Sequence, residues 1–110
     1  MKNELKTIEK VFESDKIRTV WNKEDEKYYI SVVDIVSILT QSQDGRKYWN
    51  KLKERLKNEG NETVTKCHQL KLLARDGKYR LTDVCDIEGM FRIIESIPSK
   101  KAEPIKIIKI

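Results

Sequence analysis

Ile17 to Trp21 and Tyr28 to Ser31 are short runs rich in branched and aromatic residues, separated by the wholly polar stretch 22–27. Such runs suit the pleated, half-buried surface of a strand. The pattern predicts a β-hairpin closed by a solvated loop, with Trp21, Tyr28 and Tyr29 packing across it. A short strand near Val11 and Phe12 is expected to join them. Next comes Ser31-Val32-Val33-Asp34, with an acid three residues after a serine, ahead of Ile35, Val36, Ile38 and Leu39. This capping-box-like start predicts a helix over 32–40, although its branched residues suit a strand as well and periodicity leaves both open. Gln41 to Gly45 is polar and reads as a connection. From Arg46 the period becomes helical: Trp49, Leu52 and Leu56 form one apolar stripe with Tyr48 at its margin, and Gly60 supplies a stop.

A second hairpin is expected around Asp76-Gly77. Read as a two-residue type I′ loop, it pairs Ala74 with Tyr79 and Leu72 with Leu81, on one face with Leu70. The other face then holds the pairs Arg75/Lys78 and Lys71/Thr82, with Arg80 opposite Leu73. Asp83 or Asp86 can cap a further helix to about Ile97, carrying Ile87, Met90, Phe91, Ile94 and Ile97 at helical spacing and ended by Pro98. Ser99 can open one more helix through Glu103. The sum is an α+β domain: two β-hairpins packed with three to four helices.

Size and composition are consistent with that reading. A chain of 110 residues is most simply one domain, with a core at about 12–104 and tails at 1–9 and 105–110 expected to be loosely ordered. Charged residues reach 37%, yet Leu, Ile, Val and Phe make up 30 of 110 residues, well above the roughly 20% below which a core fails. No apolar run approaches the ~20 residues that span a bilayer, and residues 1–10 lack the apolar core of a signal peptide. A cytoplasmic protein with Cys67 and Cys85 as free thiols is therefore expected.

Charge changes the picture more. From Gly45 to Asn58 six bases (Arg46, Lys47, Lys51, Lys53, Arg55, Lys57) stand against Glu54 alone, a net +5. From Lys66 to Arg80 five (Lys66, Lys71, Arg75, Lys78, Arg80) stand against Asp76, a net +4. The whole chain is +5, so everything else sums to −4. With one acid on the helix, intrahelical pairs cannot absorb its charge, and a basic helix beside a basic hairpin describes a surface for phosphates. The nucleic-acid-binding candidates are Arg46, Lys47, Lys51, Lys53 and Lys57 on the helix and Lys71, Arg75, Lys78 and Arg80 on the hairpin. Arg46, at the helix N-terminus, is placed to meet a base edge. Trp49 is assigned to the core.

Catalysis finds little support. His68 follows Cys67 directly, and adjacent strand residues point to opposite faces, so the two do not form a nucleophile–base pair. Cys67, His68 and Cys85 lack paired zinc-ligand spacing. The four glycines form neither a P-loop nor a dinucleotide fingerprint. No catalytic residue, cofactor or metal is assigned.

Several stretches resemble the Bro-N domain, the N-terminal module of prophage antirepressors and baculovirus Bro proteins, and are most similar to its bacterial DNA-damage-inducible-protein-D-like branch. They are Lys16-Ile-Arg-Thr-Val-Trp21, Tyr29-Ile-Ser-Val-Val-Asp34, Arg46-Lys-Tyr-Trp49, Lys51-Leu-Lys53, Gln69-Leu-Lys-Leu72, Thr82-Asp-Val-Cys-Asp-Ile-Glu-Gly89, Arg92-Ile-Ile-Glu-Ser-Ile-Pro-Ser99 and Lys101-Ala-Glu-Pro104. Together they cover about residues 12 to 104. The resemblance implies a compact α+β domain of DNA-binding or transcription-regulatory character without known catalytic residues, and it favours a helix over 32–40. It differs after Pro104, where relatives continue with an aromatic-containing helix and this chain reads Ile105 to Ile110 without an aromatic. The expected partner is duplex DNA. The alternative is a protein-binding antirepressor module that holds a repressor or another acidic protein without touching DNA.

Overall fold

The computed structural model describes residues 17–40 and 43–98. The expected strand near Val11 and Phe12, the helix after Ser99 and the tails at 1–9 and 105–110 lie outside those residues, as do positions 41 and 42. Four strands form one curled antiparallel sheet in the order β1-β2-β4-β3. They are β1 (Thr19–Asn22), β2 (Lys27–Ser31), β3 (His68–Leu73) and β4 (Tyr79–Cys85). Among the described residues three helices, α1 (Val32–Thr40), α2 (Gly45–Asn58) and α3 (Ile87–Glu95), and a short 3-10 turn at Val64–Lys66 join the sheet in an α+β fold.

The first hairpin forms as the pattern requires, with Trp21 opposite Tyr28 and their rings in edge contact at 4.9 Å. Tyr29 goes to the other face of the sheet. It is buried, its hydroxyl donates to the Asp25 carboxylate at 2.6 Å, and its ring meets the edge of His68.

Residues 32–40 are helical. Ser31 Oγ accepts from the Asp34 amide at 3.4 Å, but the Asp34 carboxylate does not return to close a capping box. It is gripped by Arg18, whose Nε and Nη2 donate to the two oxygens at 2.7 and 3.0 Å, while the Ser31 amide turns to the Arg18 carbonyl. The same guanidinium donates to the Leu73 carbonyl, so one arginine ties both hairpins to the start of α1.

Helix α2 begins at Asp44, which accepts from the Lys47 amide. Gly45 is packed so closely on α1 that a Cβ there would sit 1.7 Å from Ser37 Oγ. At the other end Gly60 takes φ 72°, its amide bonds the Lys57 carbonyl, and the Asn61 amide bonds the Leu56 carbonyl, the paired closure of a Schellman motif. Helix α3 starts at Asp86, whose side chain accepts from the Gly89 amide. Asp83, the other expected cap, lies within β4 instead.

Trp49, Leu52 and Leu56 of α2 bury their stripe against Ile35, Val36 and Leu39 of α1, Met90, Ile93 and Ile94 of α3, and Ile30 and Cys85 of the sheet. A smaller cluster of Tyr29, Leu72 and Val84, flanked by Val20 and Leu70, fills the opposite face of the sheet.

The second hairpin departs from expectation. Leu72 pairs with Arg80, Leu73 with Tyr79 and Lys71 with Leu81, one residue away from the expected register. The loop has three residues, not two: the Gly77 amide bonds the Ala74 carbonyl, and the Ala74 amide bonds the Lys78 carbonyl. Only Gly77 in it has positive φ, +82°, whereas a type I′ loop needs two such residues. The Asp76 carboxylate instead accepts from the Lys78 amide and from Arg80. The result is a turn followed by a left-handed glycine that bulges the strand. Because side chains alternate with period two, that single residue reassigns the faces. Leu73, Tyr79 and Leu81, the last two expected on the buried side, stand 51%, 68% and 56% exposed.

Candidate nucleic-acid interface

With Trp49, Leu52 and Leu56 turned inward, Gly45 packed on α1 and Tyr48 half-buried against the core, the charged positions of α2 are left to its outer faces. Lys47 and Lys51, one turn apart, lie opposite the buried stripe and are exposed. Arg46, Asn50, Lys53 and Lys57 follow one another along the flank. Arg46, Asn50 and Lys53 line a cleft of about 130 Å³ closed on its other side by Gln69, Leu81 and Asp83. That flank therefore looks across at the hairpin.

Asp83 anchors the two elements. It accepts from Trp49 Nε1 at 2.8 Å and from Lys53 Nζ at 2.9 Å through one oxygen, and from Gln69 Nε2 at 3.1 Å through the other. Burial works against this carboxylate, but the three hydrogen bonds outweigh it and hold its pKa below the ordinary value. Lys53 also sits 5.9 Å from the Trp49 ring centroid. Of the sequence candidates, Lys53 is thus held in place by an internal partner.

The other helix cations are differently placed. Arg46, Lys47, Lys51 and Lys57 form no ion pair among the described residues, whereas Arg55, not a candidate, bonds the Ser96 carbonyl and pairs with Glu59. On the hairpin, Lys71 shares the exposed face with Leu73, Tyr79 and Leu81, next to the cleft. Arg75 and Lys78 are exposed at the turn. Arg80 has moved to the opposite face, beside Leu72, and is ion-paired with Asp76. That contact lowers the pKa of Asp76 and raises that of Arg80. The hairpin cations therefore do not share one face: the structure brings Arg46, Lys53 and Leu81 around one cleft, sets Lys71 across from Leu81 on the same sheet face, and leaves Arg80 behind the sheet.

Sequence reasoning missed Asn50, Gln69 and Asp83 as members of this surface. Asp83 offered a signal, since it is an acid between two strand-forming residues, a place where an unpaired charge is costly.

A second cavity, about 310 Å³, is lined by Lys27, Tyr29, Lys66, His68, Asp86 and Arg92 among others. Its charges are of mixed sign, and Lys27 is paired with Asp86. Among the described residues no group of three or more His, Cys, Asp or Glu is arranged to hold a metal ion, and no helix is long and apolar enough to cross a membrane.

Comparison with known proteins adds one finding: the model of the BRO family, N-terminal domain (Bro-N), matches residues 16–108. No curated protein and no solved structure matches.

Proposed function

The chain belongs to the BRO family by its N-terminal domain, and from that premise we propose that it is a DNA-binding regulatory module of the prophage-antirepressor kind, working in the cytoplasm. The observation that carries this reading is the exposed surface of α2, where Lys47 and Lys51 opposite the buried stripe and Arg46 and Lys57 on the flank form no ion pair among the described residues. Such a face neutralises phosphates and releases their counterions. Lys47, Lys51 and Lys57 would hold the backbone, with Lys71, Arg75 and Lys78 extending the contact along the hairpin. Lys53, kept beside Asp83, contributes its charge from a fixed position. Arg46 in the first turn, with Asn50 one turn on, supplies the side chains suited to base edges.

Fluorescence anisotropy with a labelled mixed-sequence duplex tests the proposal, titrated from low to physiological salt. Binding should weaken linearly in log salt with a slope of about −3 to −5, near −0.9 for each phosphate neutralised. Lys51→Glu should weaken binding to all sequences alike and flatten the slope by about 1. Absence of binding at low salt removes direct DNA recognition.

One observation favours the second reading, a module that binds a repressor protein. Leu73, Tyr79 and Leu81 form an exposed apolar face of the hairpin beside Lys71. An interface built there would respond weakly to salt and give a stable complex on size exclusion, which separates the two readings.

A further inference from the structure

Cys67 and Cys85 are eighteen residues apart in the chain and adjacent in space. The β3–β4 register places His68 opposite Val84, and one further step sets Cys67 opposite Cys85. The backbone of Cys67 is already extended there, at φ −74° and ψ 140°. Directly opposed strand positions set Cβ atoms about 4.5–5.5 Å apart, so a small local adjustment reaches the ~3.5–4.5 Å of a disulfide. Both cysteines are free, Cys85 buried and Cys67 half-buried, and the Sγ atoms lie 2.6 Å apart, one thiol donating to the other.

We propose that Cys67 and Cys85 are a dithiol site that a hydroperoxide oxidises to an intramolecular disulfide. Cys67, the more accessible sulfur, attacks as thiolate. Its S–O bond forms as the peroxide O–O bond breaks, giving a sulfenic acid and an alcohol or water once the leaving oxygen takes a proton. The Cys85 sulfur then attacks Cys67 Sγ. The S–S bond forms, the S–O bond breaks, and water departs with the Cys85 proton. Two electrons pass from the thiols to the peroxide. The environment divides these roles: the hydrogen bond with Cys85 draws the Cys67 thiol below its ordinary pKa, while the same contact and burial push Cys85 up.

The position gives the bond a consequence. Gln69 and Asp83 form the next pair on the same sheet face, and Asp83 holds Trp49 and Lys53 of α2. A disulfide would therefore fasten edge strand β3 to β4 directly beneath the anchor of the basic helix.

The test uses the full chain, reduced and then exposed to hydrogen peroxide, folded and in guanidinium. The folded chain should lose both thiols together and form no disulfide-linked dimer. Its mass should fall by two hydrogens, its digest should contain a peptide joining Cys67 to Cys85, and dithiothreitol should reverse the change. Oxidation should be at least about tenfold faster folded than unfolded, because the fold supplies the proximity, and the thermal midpoint should rise by on the order of 5 °C. In Cys85→Ala the sulfenic acid at Cys67 should persist long enough for dimedone to trap it. If that variant does not fold, the folded-against-unfolded comparison of the native chain still decides. Oxidation no faster than in the unfolded chain, a sulfinic acid on Cys67 with Cys85 still free, disulfide-linked dimers, or no thiol loss would each overturn the proposal.

Discussion

Helix α2 and the β3–β4 hairpin carry the two cationic stretches of this chain, and folding treats their charges differently. On α2, three buried apolar residues set the rotation of the helix, so Arg46, Lys47, Lys51 and Lys57 are delivered to the surface as the spacing requires. On the hairpin, one residue more in the turn separates Lys71 from Arg80 and consigns Arg80 to an ion pair with Asp76. A helix misplaced by one residue rotates its faces partway, and its stripe still reports the correct orientation. A strand misplaced by one residue inverts every face. Charge density in a sequence is therefore firmer information about a surface when it sits on an amphipathic helix than when it flanks a turn.

The contrast can be broken most severely at Trp49, which is 1% exposed and whose indole N–H ties α2 to Asp83. Trp49→Ala should cost about 3–5 kcal/mol of stability in denaturant unfolding and release Lys53 along with the orientation of the helix. A variant as stable as the parent would mean that α2 is not anchored by its stripe. Next in size, Lys47→Ala with Lys51→Ala should reduce the salt slope of duplex binding by about 2 while leaving stability nearly unchanged. If binding survives with the same slope, the outward face of α2 is not the contact surface.

Acid should act through the join between the two regions. Asp83 has its pKa lowered in the fold, so the stability it contributes is fully present well above its ordinary value of 3.8 and is lost as pH falls below that toward the lower folded value. Asp83→Asn should flatten the loss of stability between about pH 5 and pH 2, read as denaturation midpoints across pH. An unchanged acid profile would place the loss on other carboxylates, Asp86 first, since its pKa is lowered too, chiefly by the Gly89 amide.

Two smaller effects sharpen the hairpin side. Gly77→Ala puts a side chain at φ +82° and should cost about 1 kcal/mol. Were the loop of a kind that needs no left-handed residue there, the substitution would be neutral. Arg80→Ala should leave the salt slope of duplex binding as it is, because Arg80 lies behind the sheet. A loss equal to that of a helix lysine would show that the hairpin meets DNA with its other face.

Much of the fold was legible locally. The stripe of α2, the Gly60 stop and the pairing of Trp21 with Tyr28 all arise from interactions within a few residues or across one short loop; the cap of α3 was left between Asp83 and Asp86, and the structure takes Asp86. For residues 32–40 periodicity left helix and strand open, and Ser31 at the cap signalled the helix. Its acid partner Asp34, however, was taken by Arg18, sixteen residues earlier in the chain. The candidate surface was legible in part. The cations of α2 could be placed from their spacing, but Asn50, Gln69 and Asp83 could not, because a cleft between a helix and a hairpin leaves no periodic trace.

What the sequence by itself determined is the two hairpins, the apolar stripe of α2, and the positive charge opposite that stripe. These depend on backbone periodicity and on caps that act over a single turn. On α3 the pattern put Ile87 on the apolar side, where the structure leaves it exposed and buries Ile93 instead. What only the tertiary structure decided is the register of the second hairpin, the meeting of Asp83 with Trp49 and Lys53, and the meeting of Cys67 with Cys85. Each depends on how a three-residue turn closes, and the two strands it brings together then set every side-chain partner along their length.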